Sequence, residues 1–241
     1  MPLICLDIGN TRMKAGVFQT GSEPEYYTFN HYNIGTFQTL LEKFPEGRFV
    51  LSSTAMLTED VEHYLRQTPD FLAVSNESLL PFKNLYGTPH TLGIDRIALA
   101  AGAISLYPGQ NCLIIDAGTC ITLDFINQQG EYLGGSIHPG IEMRLKALHN
   151  FTGKLPLVDN NWKEGLIGDT TINCIKIGAI TGAVKEIEHF ILEYQEMFSD
   201  IVVILTGGDS EVFFYKLKNE IFAHPNLVLV GLQKIALYNA K

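Results

Sequence analysis

The sequence carries little charge, and none of it is gathered. Only 18% of its 241 residues are Asp, Glu, Lys or Arg; 17 basic residues face 26 acidic ones, for a net charge of −9. No Lys/Arg run occurs. A nucleic-acid groove needs a clustered basic face, so that class of function is excluded. Small anionic ligands are not, because backbone N–H groups bind phosphate without lysines. Cysteine is scarce too. Cys5, Cys112, Cys120 and Cys174 form no C-x-x-C pair and no metal-ligand spacing with the seven histidines, which argues against a zinc framework and for a reduced, cytoplasmic setting. No window approaches the roughly 18 apolar residues of a membrane span, and no basic stretch leads into an apolar one near the first residue. What the chain does have is core material: 46% apolar residues, enough for one large domain or two modest ones sharing a cleft.

Periodicity and turn residues predict an α/β chain. Strands are expected at 3–7 and 12–19, joined by a Gly9-Asn10-Thr11 turn, with further extended segments near 26–32 and at 48–53. Helical spacing covers 36–44 and a polar 58–67. Residues 81–93 are punctuated by Pro and Gly and read as loop. I-D-R-I-A-L-A-A-G-A-I-S-L, 94–106, is apolar nearly all round and predicts a buried helix, stopped by Tyr107-Pro108-Gly109. The second half restarts with strands at 112–116 and 120–126 and a Gln128-Gln129-Gly130 turn. His138-Pro139-Gly140 reads as another turn. Helices follow at 141–149 and 170–196, then a strand at 201–205, a short helix at 210–219, a strand at 227–230 and a terminal helix at 231–239.

Two stretches half a chain apart say nearly the same thing. L-I-C-L-D-I-G-N-T runs from 3 to 11, and C-L-I-I-D-A-G-T from 112 to 119. Each takes an apolar strand into a carboxylate, Asp7 or Asp116, followed by a Gly and a Thr. One copy alone is an ordinary turn, since Asp and Gly favour turns anyway. Two copies after apolar strands point to paired phosphate clamps. The Gly lets the backbone approach a ligand, the turn's N–H groups face phosphate oxygens, and the Asp holds Mg²⁺ or its waters. The repeat itself suggests two similar halves facing each other.

Leu205-Thr206-Gly207-Gly208-Asp209 supplies a further strand end, where paired glycines let a nucleotide lie against the backbone. Gly93-Ile94-Asp95-Arg96 opens the apolar helix. An acid in a first turn is favoured by the helix macrodipole and needs no other purpose. The same Asp95, kept ionised there, is also fit to take a proton from a substrate hydroxyl, and Arg96 to hold a carboxylate through two parallel hydrogen bonds. Both readings stand on the residues alone. Tyr86 lines a pocket or is an ordinary half-buried ring, and one of Thr170-Thr171 caps the long helix.

In combination these pieces resemble the type III pantothenate kinase family of the acetate and sugar kinase/actin-like ATPase superfamily. The resemblance runs nearly end to end. It rests on D-I-G-N-T-R at 7–12, G-I-D-R at 93–96, D-A-G-T at 116–119, G-G-x-x-x-P-G at 134–140, G-D-T-T at 168–171 and L-T-G-G-D at 205–209. It implies two similar actin-like (ribonuclease H-like) domains of mixed sheet and helices facing a shared nucleotide cleft. Residues 1–108 would carry the first phosphate hairpin, and 109–241 the second hairpin and the adenosine motif.

The activity implied is ATP-dependent phosphorylation of pantothenate to 4′-phosphopantothenate, the first step of coenzyme A biosynthesis. The resemblance assigns ATP binding to Asp7, Ile8, Gly9, Asn10, Thr11, Arg12, Met13, Lys14 and Thr119, with Asp7 organising Mg²⁺ through water. It makes Asp95 the proton acceptor, and lines the pantothenate pocket with Tyr86, Gly93, Ile94, Asp95, Arg96 and Thr171. Asp116 would hold a monovalent cation, K⁺ or NH₄⁺. A homodimer is implied, whose partner subunit helps to complete the pantothenate site, with no nucleic-acid or membrane partner. The alternatives are an actin-like nucleotide-switch or filament protein, which has no need of Asp95-Arg96 at a pocket, and a sugar kinase of the same superfamily.

Overall fold

The computed structural model describes residues 1–9, 12–31, 33–55, 57–68, 70–161, 165–198 and 200–240. In chain order the strands and helices are β1 (Leu3–Ile8), β2 (Met13–Phe18), β3 (Glu25–Phe29), α1 (Ile34–Lys43), β4 (Arg48–Ser53), α2 (Glu59–Gln67), β5 (Phe71–Ala73), β6 (Lys83–Asn84) and α3 (Ile94–Leu106). There follow β7 (Asn111–Ala117), β8 (Cys120–Ile126), β9 (Glu131–Pro139), α4 (Ile141–Asn150), α5 (Thr171–Lys176), α6 (Gly182–Met197), β10 (Ile201–Thr206), α7 (Ser210–Phe214), β11 (Phe222–Ala223) and α8 (Leu227–Tyr238). The strands form two mixed sheets, ordered β3-β2-β1-β4-β5 and β11-β10-β7-β8-β9-β6.

By compactness the chain forms two units. One comprises Met1–Gly109, Ile126–Gly134 and Asn226–Lys241; the other comprises Gln110–Phe125 and Gly135–Pro225. Two segments beyond residue 109 therefore side with the first unit.

In the first unit β1 is the central strand, antiparallel to β2 and parallel to β4. Successive side chains of a strand point to opposite faces. Ile4, Leu6 and Ile8 join Met13, Ala15 and Val17 of β2 in a core with Phe37 and Leu40 of α1 and Val61 and Leu65 of α2. The same alternation turns Cys5 and Asp7 to the other face, which α3 and α8 cover. α3 is buried without interruption from Arg96 to Ala103, as its all-round apolar character requires.

In the second unit β7 lies parallel to β10, with Asp116 opposite Thr206. Leu113, Ile115 and Ala117 of β7 pack with Leu123 of β8, Leu145 of α4, Ile187 and Ile191 of α6 and Leu205 of β10. Alternation again leaves the carboxylate, Asp116, on the opposite face from this core.

Four expectations need correction. Residues 227–230 are not a strand; they begin α8. Leu-Val-Leu-Val reads as a strand by β-branching, but the segment is buried on all sides against α3, a context that suits an apolar helix equally well. The crossing is so close that a Cβ on Gly231 would lie 1.7 Å from the Ala98 carbonyl oxygen. The expected helix at 170–196 is three pieces, α5 and α6 being separated by a π-helical stretch, Ile177–Thr181. α7 ends at Phe214 rather than 219. His138 and Pro139 finish β9, and Gly140 caps α4, so no separate turn exists there.

Candidate active site

In the first unit, β1 delivers Asp7 to the face covered by α3. Its neighbours across the sheet are Lys14 on β2 and Ser52 on β4. Its pKa is pushed up to about 6, chiefly by burial and then by the charge of Asp95; Lys14 and the Ser52 hydroxyl oppose the rise. Ser52 is fully buried, and its hydroxyl has no hydrogen-bond partner among the described residues. A half-buried carboxylate facing a second carboxylate is the donor set that a cation relieves.

Asp95 stands in the first turn of α3, where Gly93 is the N-cap residue. The Arg96 amide donates to Asp95 Oδ1 at 2.8 Å. A Cβ on Gly93 would fall 2.4 Å from that same Oδ1, so only glycine leaves the carboxylate in place. Arg96 is 6% exposed, and its guanidinium lies over the Tyr86 ring, 5.6 Å from the centroid, a cation–π distance. Tyr86 in turn rests on the buried Tyr132, with centroids 6.2 Å apart, and against Gly134, where a Cβ would meet the ring at 3.2 Å. The loop at 81–93 thus contains a short parallel pairing, Lys83 with Glu131 and Asn84 with Tyr132, which sets Tyr86 beneath Arg96.

Of the other residues expected here, Gly9 closes the β1–β2 turn by donating its N–H to the Arg12 carbonyl at 3.1 Å. Ile8 and Met13 are fully buried. Ile94 is the first residue of α3. Asn10 and Thr11 lie outside the described residues.

The second unit repeats the device. Asp116, like Asp7, stands one residue before its strand ends, and each has a buried hydroxyl residue opposite it on the neighbouring parallel strand: Thr206, 3% exposed, and Ser52. Gly207, at φ +98°, runs its backbone directly past the carboxylate. A Cβ there would lie 2.5 Å from Asp116 Oδ1 and 2.3 Å from the Ala117 carbonyl oxygen. The Asp209 amide donates to the same Ala117 oxygen at 2.8 Å. L-T-G-G-D and D-A-G-T are therefore one local structure. Thr119 is exposed at the tip of the β7–β8 turn. Thr171 opens α5, exposed, after the N-cap Thr170, whose hydroxyl accepts from the Asn173 amide at 3.1 Å.

Sequence reasoning missed Ser52, the Gly134 seat for Tyr86, and a cluster around His138. Each depends on residues tens of positions apart, and no local pattern marks such pairs.

A carboxylate-ended strand followed by a glycine turn is thus built twice, once on each of two mixed sheets, in an α/β fold of the actin-like class. Solved structures agree on the fold. A conserved Baf-family protein from Campylobacter jejuni superposes with a TM-score of 0.63 at 23% identity, covering 98% of each chain. The activator of the 2-hydroxyisocaproyl-CoA dehydratase from Clostridium difficile, with bound ADPNP, superposes with a TM-score of 0.55 at 14% identity over 99% of this chain and 94% of its own. Residues 3–193 match the family model of type III pantothenate kinase. The type III pantothenate kinase of Christiangramia forsetii is 46% identical over 238 residues, 98% of both chains. The chain belongs to the type III pantothenate kinase family. It is an enzyme that phosphorylates pantothenate with ATP, the step that opens coenzyme A biosynthesis.

Proposed function

We propose that Asp95 accepts the proton of the pantothenate hydroxyl as the hydroxyl oxygen attacks the γ-phosphorus of ATP, ADP leaving with the bridging oxygen. The observation that carries this is Asp95 in the first turn of α3, followed by the buried Arg96 over the Tyr86 ring, with the Asp95 charge also one cause of the raised Asp7 pKa. In this reading Asp7 would hold a cation and Asp95 takes the proton. The β1–β2 turn from Asp7 to Lys14 (Asp7, Ile8, Gly9, Asn10, Thr11, Arg12, Met13, Lys14) binds ATP, as does Thr119. Asp7 would hold Mg²⁺ through water, and the ion would supply charge neutralisation on the phosphates. Gly93, Ile94, Asp95, Arg96 and Tyr86 form the pantothenate pocket, with Arg96 on the carboxylate.

Thr171 is assigned to the pantothenate site of a homodimer, completed by the partner subunit. Apolar side chains left exposed beside it in the sequence support an interface: Leu166 is 78% exposed, Ile167 91% and Ile172 49%. Singly exposed apolar residues are ordinary, but a cluster in one segment marks an interaction surface. The domain division is assigned at 108/109, with one phosphate hairpin in each half. A cytoplasmic location follows from the reaction and from cysteine usage; among the described residues no helix is long and apolar enough to cross a membrane.

Asp116 holds K⁺ or NH₄⁺. The support is the Asp116 carboxylate itself, at the end of β7 with Thr206 opposite it and the Gly207 backbone against its Oδ1; an oxygen donor of this kind would suit a hard monovalent cation. A carboxylate left facing phosphate oxygens without such an ion would be repelled. The expected result is little activity in Na⁺-only buffer containing Mg²⁺, and recovery on addition of K⁺ or NH₄⁺. Asp116→Asn loses most of that activation, chiefly through weaker ATP binding. Equal initial rates in Na⁺ and K⁺ would remove the assignment.

A further inference from the structure

Behind the second hairpin lies a polar cluster that the reaction does not use directly. Glu186, half-buried on α6, receives two partners through its two oxygens. His138 Nδ1, from the end of β9, meets Oε1 in a short hydrogen bond, and Arg144 from the first turn of α4 donates to Oε2 at 2.7 Å. Burial pushes the Glu186 pKa up, but the hydrogen bonds from Arg144 and His138 outweigh it and hold the group below its usual value. The other His138 nitrogen, Nε2, pairs with Ser136 Oγ at 2.6 Å, and the ring stands edge-on to Phe190, one helical turn after Glu186. Arg144 Nε also donates to the Pro139 carbonyl at 2.8 Å. His138, Pro139 and the start of α4 are thereby tied to one carboxylate on α6.

What this junction touches is the nucleotide turn. The Gly140 amide donates to the Thr119 carbonyl at 3.2 Å. A Cβ on Gly140 would lie 2.4 Å from both the Gly118 and Thr119 carbonyl oxygens. With the two backbones in contact, a shift of Pro139–Gly140 displaces the Gly118–Thr119 turn by a similar amount. We infer that Glu186 is a positioning residue for ATP: through His138 and Arg144 it fixes the β9–α4 junction, and through that junction the turn bearing Thr119. The inference rests on the reading that Thr119 contacts ATP.

Three variants and one control test it by steady-state kinetics in both substrates, with thermal melting as the fold check. Glu186→Ala releases both partners and raises the KM for ATP on the order of 10-fold, less than the roughly 10²-fold that a full 1 Å misplacement costs. The KM for pantothenate and kcat stay near wild type. Arg144→Met removes one bracket and shifts the ATP KM in the same direction by less, which keeps the test alive should the alanine variant fold poorly. Glu186→Gln supplies an amide that can accept from Arg144 and donate to the other imidazole tautomer, so it restores a near-normal KM. The control, Thr119→Val, raises the ATP KM. If it does so while Glu186→Ala and Arg144→Met leave that KM unchanged, the inference falls alone. It also falls if both KM values and the melting temperature move together. If Thr119→Val has no effect on ATP, the nucleotide reading of the turn falls, and the inference with it.

Discussion

Replacing Asp95 by asparagine is expected to lower kcat by roughly 10²–10⁴-fold, the usual worth of a positioned proton acceptor, with the KM for ATP nearly unchanged. The substitution is conservative in every structural respect. Asn keeps an oxygen where Asp95 Oδ1 accepts the Arg96 amide at 2.8 Å, and the space beside Gly93 is not altered. Removing the charge also removes one cause of the raised Asp7 pKa, so Asp7 stays ionised and able to hold a cation. The loss that bears on turnover is the capacity to accept a proton. Steady-state kinetics in ATP and in pantothenate separately check this. Near-normal turnover would return Asp95 to the plainer role of an acid favoured by the helix macrodipole.

Arg96→Ala is expected to raise the KM for pantothenate on the order of 10²-fold or more, because losing one side of a close charged pair costs a few kcal/mol. The KM for ATP moves far less. The guanidinium is nearly buried and lies over the Tyr86 ring, so it is oriented before substrate arrives and little further ordering is needed. Arg96→Lys should not restore binding, since an ammonium lacks the planar fork that matches a carboxylate. An unchanged pantothenate KM in the alanine variant would send the carboxylate contact elsewhere.

Much of this arrangement is legible in the sequence because it is local. A carboxylate at the end of an apolar strand, followed by Gly, needs only the alternation of β1 and β7 to be read, and α3 announces its burial through 13 residues with hardly a polar one. Closing contacts are not local. The β9 end holds His138 against Glu186, 48 positions away, and three letters reading His-Pro-Gly suggest a turn until that partner is known. Ser52 carries no sign of its place opposite Asp7, since parallel pairing is set by the whole sheet. α8 shows the limit most clearly. Leu-Val-Leu-Val is compatible with strand and helix alike, and the decision rests on close packing against α3, where Gly231 meets the Ala98 carbonyl.

Phosphoryl transfer from ATP to pantothenate is visible directly by ³¹P NMR of the reaction. The protein would be incubated with ATP, Mg²⁺ and K⁺, and with pantothenate, pantetheine or a hexose as acceptor. ADP and 4′-phosphopantothenate are expected in equal amounts with pantothenate, and no sugar phosphate with the hexoses. Release of inorganic phosphate at the same rate with no acceptor present, or transfer to a hexose in preference to pantothenate, would contradict that expectation.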